Sequence, residues 1–153
     1  MPDGDVPEDA ELPDLPLVID DAAGVPRTLG YVTTIFPDRC ETRLALDERH
    51  SNRNGRIHGG IHATLLDVAM GFAASRAFAR GEGGRTPETD VLTLTLVTNF
   101  VGVSDGAQVV ATGRIDRHGR SIAFGSGEVR DADGVLLATG TGTFKRTRSR
   151  GGR

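Results

Sequence analysis

Hydrophobic residues fall into one long run and several short ones, and the two kinds of run predict different elements. From Gly59 to about Ala79, Ala, Leu, Met and Phe recur without a proline, which is typical of a long helix. Shorter extended runs predict strands at 31–36, 40–46, 90–101, 108–116, 121–130 and 135–145, with turn residues between them and a loop at 81–87. The pattern predicts an α+β domain in which one helix packs on a mostly antiparallel sheet.

Apolar side chains occupy almost every face of the predicted helix, so this helix must be mostly buried. They recur as Ile61, Leu65, Val68 and Phe72 on one face and as Leu66, Met70, Ala73 and Ala77 on others. The only acid in the run is Asp67. A buried carboxylate is costly unless it is hydrogen-bonded, paired with a cation or used in chemistry, so Asp67 is a candidate catalytic residue. Composition leaves equally open a structural ion pair with Arg76 or with an arginine of a loop.

Two glycines, Gly59 and Gly60, stand where the predicted helix begins. The first backbone N–H groups of a helix lack partners, and glycines would let a substrate carbonyl approach them without an intervening side chain. This arrangement would make an oxyanion hole. A tight turn from loop to helix is the alternative interpretation of the same pair.

Helix geometry separates these two candidate features. Gly59 and Asp67 are eight residues apart, so their backbones lie about 12 Å apart along the helix axis. One short acid cannot serve a carbonyl held that far along its own helix. We therefore predict an obligate homodimer through antiparallel central helices, in which Gly59 of one subunit faces Asp67 of the other. Small residues recur at helical intervals and would permit this approach: Gly60, Ala63, Asp67, Gly71 and Ala74.

Charge is concentrated at the two ends of the chain. Residues 1–21 contain eight acids and no base, residues 145–153 contain five bases and no acid, and 13 bases balance 13 acids between them. This balance excludes the basic stripe of a nucleic-acid-binding surface. We expect a disordered acidic arm at 1–20, a single domain at 21–145 and a flexible basic tail at 146–153.

The location of the protein can be predicted from its cysteine content and hydropathy. The single cysteine, Cys40, cannot form an internal disulfide and is expected to be a packed structural thiol. The chain has neither an apolar run long enough to span a membrane nor the pattern of a signal peptide. These observations predict a cytoplasmic protein.

The segment from Asn52 to Gly60, followed by Thr64-Leu-Leu-Asp67, resembles the signature loop and helix of the hot-dog thioesterases, in particular their phenylacetate-pathway (PaaI-type) branch. The resemblance covers roughly 29–145 and includes Thr93 to Phe100, Gly119-Arg120-Ser121 and Asp131 to Phe144. It implies a hot-dog fold, in which a long central helix is wrapped by a mostly antiparallel sheet of five to six strands. It also implies dimers that often pair into tetramers, and hydrolysis of acyl-CoA thioesters without metal or other cofactor.

The same resemblance implies roles for individual residues. Asp67 would be the general base or nucleophile, and the Gly59 amide would polarise the thioester carbonyl. Asn52 and His58 would position substrate or water. The expected substrate-binding positions are Gly60, Thr93, Gly119, Arg120 and Ser121. Arg120 could hold CoA phosphates together with Arg114 and Arg117, although turn residues are usually solvated.

Other interpretations of these residues are open. His58 and His62 have the spacing of two zinc ligands on a helix, but the Glu of a His-Glu-x-x-His motif is missing. His58 could instead cap the helix. Neither Ser51 nor Ser75 lies in a Gly-x-Ser-x-Gly nucleophile elbow, and Gly125-Ser-Gly127 falls inside a strand pattern, which argues against a serine hydrolase. The chief functional alternative is a non-catalytic acyl-CoA-binding protein, followed by a hydratase or dehydratase of the same fold.

Overall fold

A long helix and an antiparallel sheet form the body of the protein in a computed structural model that describes residues 15–81 and 90–147. Most of the predicted acidic arm, most of the predicted loop at 81–87 and nearly all of the basic tail lie outside these residues. The elements in chain order are β1 (Leu17–Ile19), α1 (Gly24–Leu29), β2 (Val32–Ile35), β3 (Cys40–Ala45), a 3₁₀ helix (Glu48–His50), α2 (Gly59–Gly81), β4 (Val91–Phe100), β5 (Gln108–His118), β6 (Ile122–Asp131) and β7 (Leu136–Arg146).

The predicted α+β class is confirmed, but the sheet is larger than predicted. Its strand order is β1-β2-β3-β5-β6-β7-β4, every pair is antiparallel, and the described residues contain seven strands rather than five or six. The additional strand is β1, which pairs Leu17 with Ile35 of β2. A run of three apolar residues between proline and acidic residues is too short to predict a strand, and only its pairing with β2 makes it one.

Helix α2 lies unusually close to the sheet because small residues line the facing strands. Leu65, Leu66, Ala69 and Met70 of α2 are fully buried in the main hydrophobic core. Opposite them, a Cβ placed on Gly113 of β5 would lie only 2.5 Å from backbone atoms of Ala69 and Met70. Glycine is therefore required there, and its absence of a side chain sets the distance between helix and sheet.

The sheet curls around α2 without closing, since its two edges are β1 and β4. Between these edges, one stripe of the helix is only half-buried, and it contains Thr64, Asp67, Val68, Gly71 and Phe72. The prediction of a mostly buried helix therefore holds for much of α2, and its acid lies on a half-buried stripe.

A β-bulge in strand β4 changes which of its residues face α2. The register between β4 and β7 shifts between Thr93 and Thr95, which makes Leu94 the extra residue of a β-bulge. As a result, Thr93 before the bulge and Leu96 and Phe100 after it all face α2. Several large apolar residues of this edge and of the segment that follows are exposed: Leu92, Leu94, Val97, Phe100, Val101 and Val103. Within the described part of the chain, no helix has the length and hydropathy needed to cross a membrane.

Candidate active site

Asp67 and Thr93 come together across the gap between α2 and β4. The Thr93 hydroxyl donates a hydrogen bond of 2.7 Å to Oδ1 of Asp67. The ion pair between Asp67 and Arg76 that composition left open is not formed, because nine residues place Arg76 about half a turn away around the helix. Of the residues predicted for the site, these two side chains are the pair that the fold brings into contact.

A cavity of about 530 Å³ lies beside Asp67 and is open to solvent. Its walls come from α2, from Tyr31 just before β2 and Thr33 within it, from the segment around α1, and from β4. Three carboxylates, Asp21, Asp67 and Asp90, contribute to the lining, and none of its lining residues is a lysine or arginine. Burial raises the pKa of the Tyr31 phenol, and the nearby charges of Asp21 and Asp67 raise it further. The cavity is thus negatively charged and holds a protonated phenol.

The two glycine amides at the beginning of α2 differ in their hydrogen bonding. His58 is the N-cap, and its Nδ1 accepts a hydrogen bond of 2.9 Å from the Gly60 N–H. The capping role that was left open for His58 is therefore present. The Gly59 N–H, at the first position of the helix, has no acceptor among the described residues. Of the two glycine amides predicted at this end, Gly59 is the one left available.

The loop before α2 is held in shape by Asn52. Its side-chain oxygen accepts hydrogen bonds from the backbone N–H groups of Asn54 and Arg56 at 2.9 and 3.2 Å. Gly55 completes this turn with a φ of 74°, a conformation that favours glycine. Asn52 thus shapes the loop that leads to the Gly59 amide.

Two residues that the sequence pattern did not single out complete this end of the helix. Phe100 of β4 lies over Gly59, where an added Cβ would be only 3.1 Å from its ring. His50 is almost fully buried; its Nδ1 accepts from the Asp47 N–H, and its Nε2 lies 2.7 Å from the Leu29 carbonyl oxygen. An isolated loop histidine gives no indication in the sequence that it will be buried. Phe100 could not be placed either, because the bulge in β4 decides which way it faces.

The remaining predicted positions lie away from Asp67. Asn52, His58, Gly59 and Gly60 do not line its cavity, and Gly59 is about 12 Å from Asp67 along the helix. The Gly119-Arg120-Ser121 segment is exposed in the hairpin between β5 and β6, and it does not line that cavity. Within one chain, the predicted site residues therefore fall into separate groups, with Asp67 and Thr93 in one and Asn52, His58, Gly59 and Gly60 in another.

Alternative chemistries find little basis in the described residues. Across 15–81 and 90–147, no group of three or more His, Cys, Asp and Glu side chains is placed to hold a metal ion. Burial lowers the pKa of His62, whose ring lies 6.1 Å from that of Phe100. Cys40 is buried, and this burial raises its pKa to about 12, so its thiol is protonated at neutral pH. The prediction of a structural thiol agrees with this environment.

Comparison with solved structures identifies the fold. The E. coli PaaI protein, from the phenylacetic acid degradation operon, aligns with a TM-score of 0.68 at 14% identity, covering 80% of this chain and 83% of that one. A Bacillus halodurans protein crystallised with CoA is 31% identical with a TM-score of 0.60, covering 69% of this chain and 65% of that one. These likenesses confirm the predicted hot-dog thioesterase architecture.

Comparison of sequences points to the same family. Acyl-coenzyme A thioesterase 13 of Mus musculus is 28% identical over 123 residues, covering 78% of this chain and 83% of that protein. The model of the thioesterase superfamily matches residues 54–138. That match includes α2 with Asp67 and β4 with Thr93, and it spans more than half of the sequence. On this basis the chain belongs to the thioesterase superfamily.

Proposed function

We propose that this protein hydrolyses an acyl-CoA thioester to a free acid and CoA. The observation that carries the proposal is the hydrogen bond from Thr93 to Asp67 at an open cavity. The Thr93 hydroxyl donates to one oxygen of the Asp67 carboxylate and fixes the orientation of the group. The other carboxylate oxygen can then react with water or substrate. The catalytic unit is the domain at 21–145, and its expected location is the cytoplasm.

Asp67 acts as general base or as nucleophile. As a base, it accepts a proton from water while the water oxygen attacks the thioester carbonyl carbon. The C–S bond then breaks and CoA leaves as a thiolate, a leaving group that needs no strong general acid. As a nucleophile, the carboxylate attacks the carbonyl carbon itself; the C–S bond breaks, CoA leaves as a thiolate, and water hydrolyses the resulting anhydride.

The Gly59 N–H stabilises the negative charge that develops on the carbonyl oxygen. This N–H has no acceptor in the described part of the chain and lies at the positive end of the α2 dipole. Phe100 covers this end of the helix and limits the access of water.

We propose that the two halves of the site come from different subunits of a dimer. Strand β4 is an edge with exposed apolar side chains, a surface that favours pairing with another strand. Antiparallel pairing of two β4 strands would place the half-buried stripes of the two α2 helices side by side. Asp67 and Thr93 would then complete a site with Gly59 of the partner subunit, and two such dimers could form a tetramer.

Hydrolysis is tested by measuring thiol release from short, medium, long-chain and aryl acyl-CoAs. We expect Asp67→Asn to reduce kcat by about 10³-fold, because the proton acceptor is lost while the hydrogen bond to Thr93 can remain. Asp20→Asn is the control, since Asp20 is exposed and does not line the cavity. Undiminished activity in Asp67→Asn would remove the mechanism. Binding of acyl-CoA by the wild type without cleavage would favour the non-catalytic alternative.

The shared site is tested through the Gly59 amide. Proline at the first helical position removes the N–H without breaking the helix, so Gly59→Pro should lower kcat by about 10²- to 10³-fold. Gly59→Ala retains the N–H and controls for crowding against Phe100. Mixing equal amounts of Asp67→Ala and Gly59→Pro subunits should restore about a quarter of wild-type activity, because each mixed dimer contains one intact site. No recovery after confirmed subunit exchange would contradict the sharing.

A further inference from the structure

A second cavity lies on the opposite side of α2 from Asp67. It has a volume of about 380 Å³ and is lined by the turn between β2 and β3, the C-terminal half of α2 and the end of β5. It shares no lining residue with the cavity beside Asp67. Arg76 follows Asp67 by nine residues, which places it about 14 Å along the axis and half a turn around the helix.

Arginines dominate the charge of this second cavity. Arg39, Arg76 and Arg80 line it, together with His118 and one carboxylate, Asp38. Arg39 is already neutralised, because it forms ion pairs with Asp38 at 3.0 Å and Glu41 at 2.8 Å. It also stacks over the Phe36 ring at 4.1 Å. Arg39 is therefore a fixed wall of the cavity.

The other two arginines of the cavity, Arg76 and Arg80, differ from Arg39 in their partners. Arg80 donates to the Pro37 carbonyl oxygen, and neither arginine forms an ion pair with a carboxylate of the described residues. The Nε of Arg76 is buried and has no hydrogen-bond partner in the described part of the chain. Burial lowers the pKa of Arg76, and the charge of Arg80 lowers it further. A buried charged donor without a partner is costly, so an anion bound beside Arg76 would stabilise it.

We propose that this cavity binds a phosphate group between Arg76 and Arg80. Two guanidinium groups without an ion-pair partner among the described residues match the double charge of a phosphate, and each can contact two of its oxygens. The volume falls within the roughly 300–1,000 Å³ that is typical of small-molecule sites. The phosphate is either free inorganic phosphate or the 3′-phosphate of CoA. His118 links the cavity to the hairpin containing Arg117 and Arg120, the arginines for which a CoA phosphate contact was considered from the sequence.

The site is tested with the full-length protein by isothermal titration calorimetry against inorganic phosphate, with chloride keeping the ionic strength constant. We expect Arg76→Gln and Arg80→Gln each to weaken binding at least about tenfold, because each removes one guanidinium from the phosphate. Arg27→Gln should bind like the wild type, since Arg27 is exposed on α1 and lines neither cavity. Circular dichroism checks folding, and Arg76→Lys replaces Arg76→Gln if the latter is unfolded.

The source of the phosphate is decided by titrating CoA and dephospho-CoA. If CoA binds more tightly than dephospho-CoA, and Arg76→Gln removes this difference, the ligand is the 3′-phosphate of CoA. If CoA and dephospho-CoA bind equally, and inorganic phosphate still binds, the ligand is free phosphate. The CoA comparison rests on the proposed function, whereas the inorganic phosphate titration does not. Absence of binding by inorganic phosphate and CoA alike would overturn the site, as would equal weakening by Arg27→Gln.

Discussion

The two cavities flanking α2 differ in the charge of their lining residues and in their position relative to the edges of the sheet. The cavity beside Asp67 is lined by three carboxylates and no arginine, and it opens in the gap between the two edges of the sheet. The cavity beside Arg76 is lined by three arginines, and its walls are the β2–β3 turn and β5 of the same chain. The acidic cavity adjoins an edge that can accept a second subunit, whereas the basic cavity is built from interior strands and a turn.

This contrast shows how one helix can serve two kinds of chemistry. Asp67 and Arg76 belong to the same apolar helix, but half a turn of rotation directs them to opposite sides. Their separation along and around the helix keeps the two charges from forming an ion pair. Asp67 therefore remains available for its proposed catalytic role, and Arg76 remains available for the proposed phosphate.

In the acidic cavity, the orientation of the Asp67 carboxylate depends most directly on the Thr93 hydroxyl. Thr93→Val keeps the shape of the side chain but removes the hydrogen bond to Asp67, so we expect kcat to fall by about 30-fold, the value of a hydrogen bond to a charged group. Thr93→Ser restores a hydroxyl and should recover most of the rate. The measurement is thiol release under saturating acyl-CoA. A wild-type kcat in Thr93→Val would show that the hydroxyl does not orient the carboxylate.

Helix α2 and the position of Asp67 on it were predictable from the sequence, because hydrophobic periodicity is a local property of the chain. The uninterrupted apolar run predicted α2, and a lone acid in that run identified Asp67. Helix geometry then showed that Gly59 and Asp67 are too far apart to share a site within one chain, and the structure agrees that they do not lie around one cavity.

The features that the sequence did not reveal depend on long-range pairing. Strict alternation along β4 would direct Thr93, Thr95 and Val97 to one face, but the bulge at Leu94 leaves Thr93 facing α2 and turns Thr95 and Val97 away. Only pairing with β7 determines where that bulge lies. The basic cavity was equally hidden, since Arg39, Arg76 and Arg80 belong to separate segments that meet only in the folded chain. The sequence indicates Arg76 only as a candidate ion-pair partner of Asp67.

The charge of the acidic cavity should discriminate between acyl groups. Butyryl-CoA and succinyl-CoA both carry four-carbon acyl groups, but succinyl ends in a carboxylate that Asp21 and Asp90 would repel. We expect Asp21→Lys to raise the ratio of kcat/KM for succinyl-CoA over butyryl-CoA by about tenfold, because repulsion becomes attraction. Taking the ratio cancels any effect of the lysine on the shared CoA portion.

A matched control for this charge reversal is Asp20→Lys. Asp20 is the exposed neighbour of Asp21 and does not line the cavity, so the same change in net charge should leave the ratio near its wild-type value. If both variants shift the ratio equally, the selectivity comes from the overall charge of the protein and the cavity has no part in it.

The smallest expected effect concerns the phenol of Tyr31, whose pKa is raised by burial and by the charges of Asp21 and Asp67. A raised pKa keeps this phenol protonated from about pH 6 to pH 9, so its ionisation cannot shape the pH dependence of kcat in that range. Tyr31→Phe should change kcat by less than about threefold and leave the profile unaltered, as expected for the loss of one neutral hydrogen-bonding group. If an alkaline limb below pH 9 disappeared in Tyr31→Phe, the phenol would be titrating within the working range of the enzyme, and the charge of this cavity would not come from its carboxylates alone.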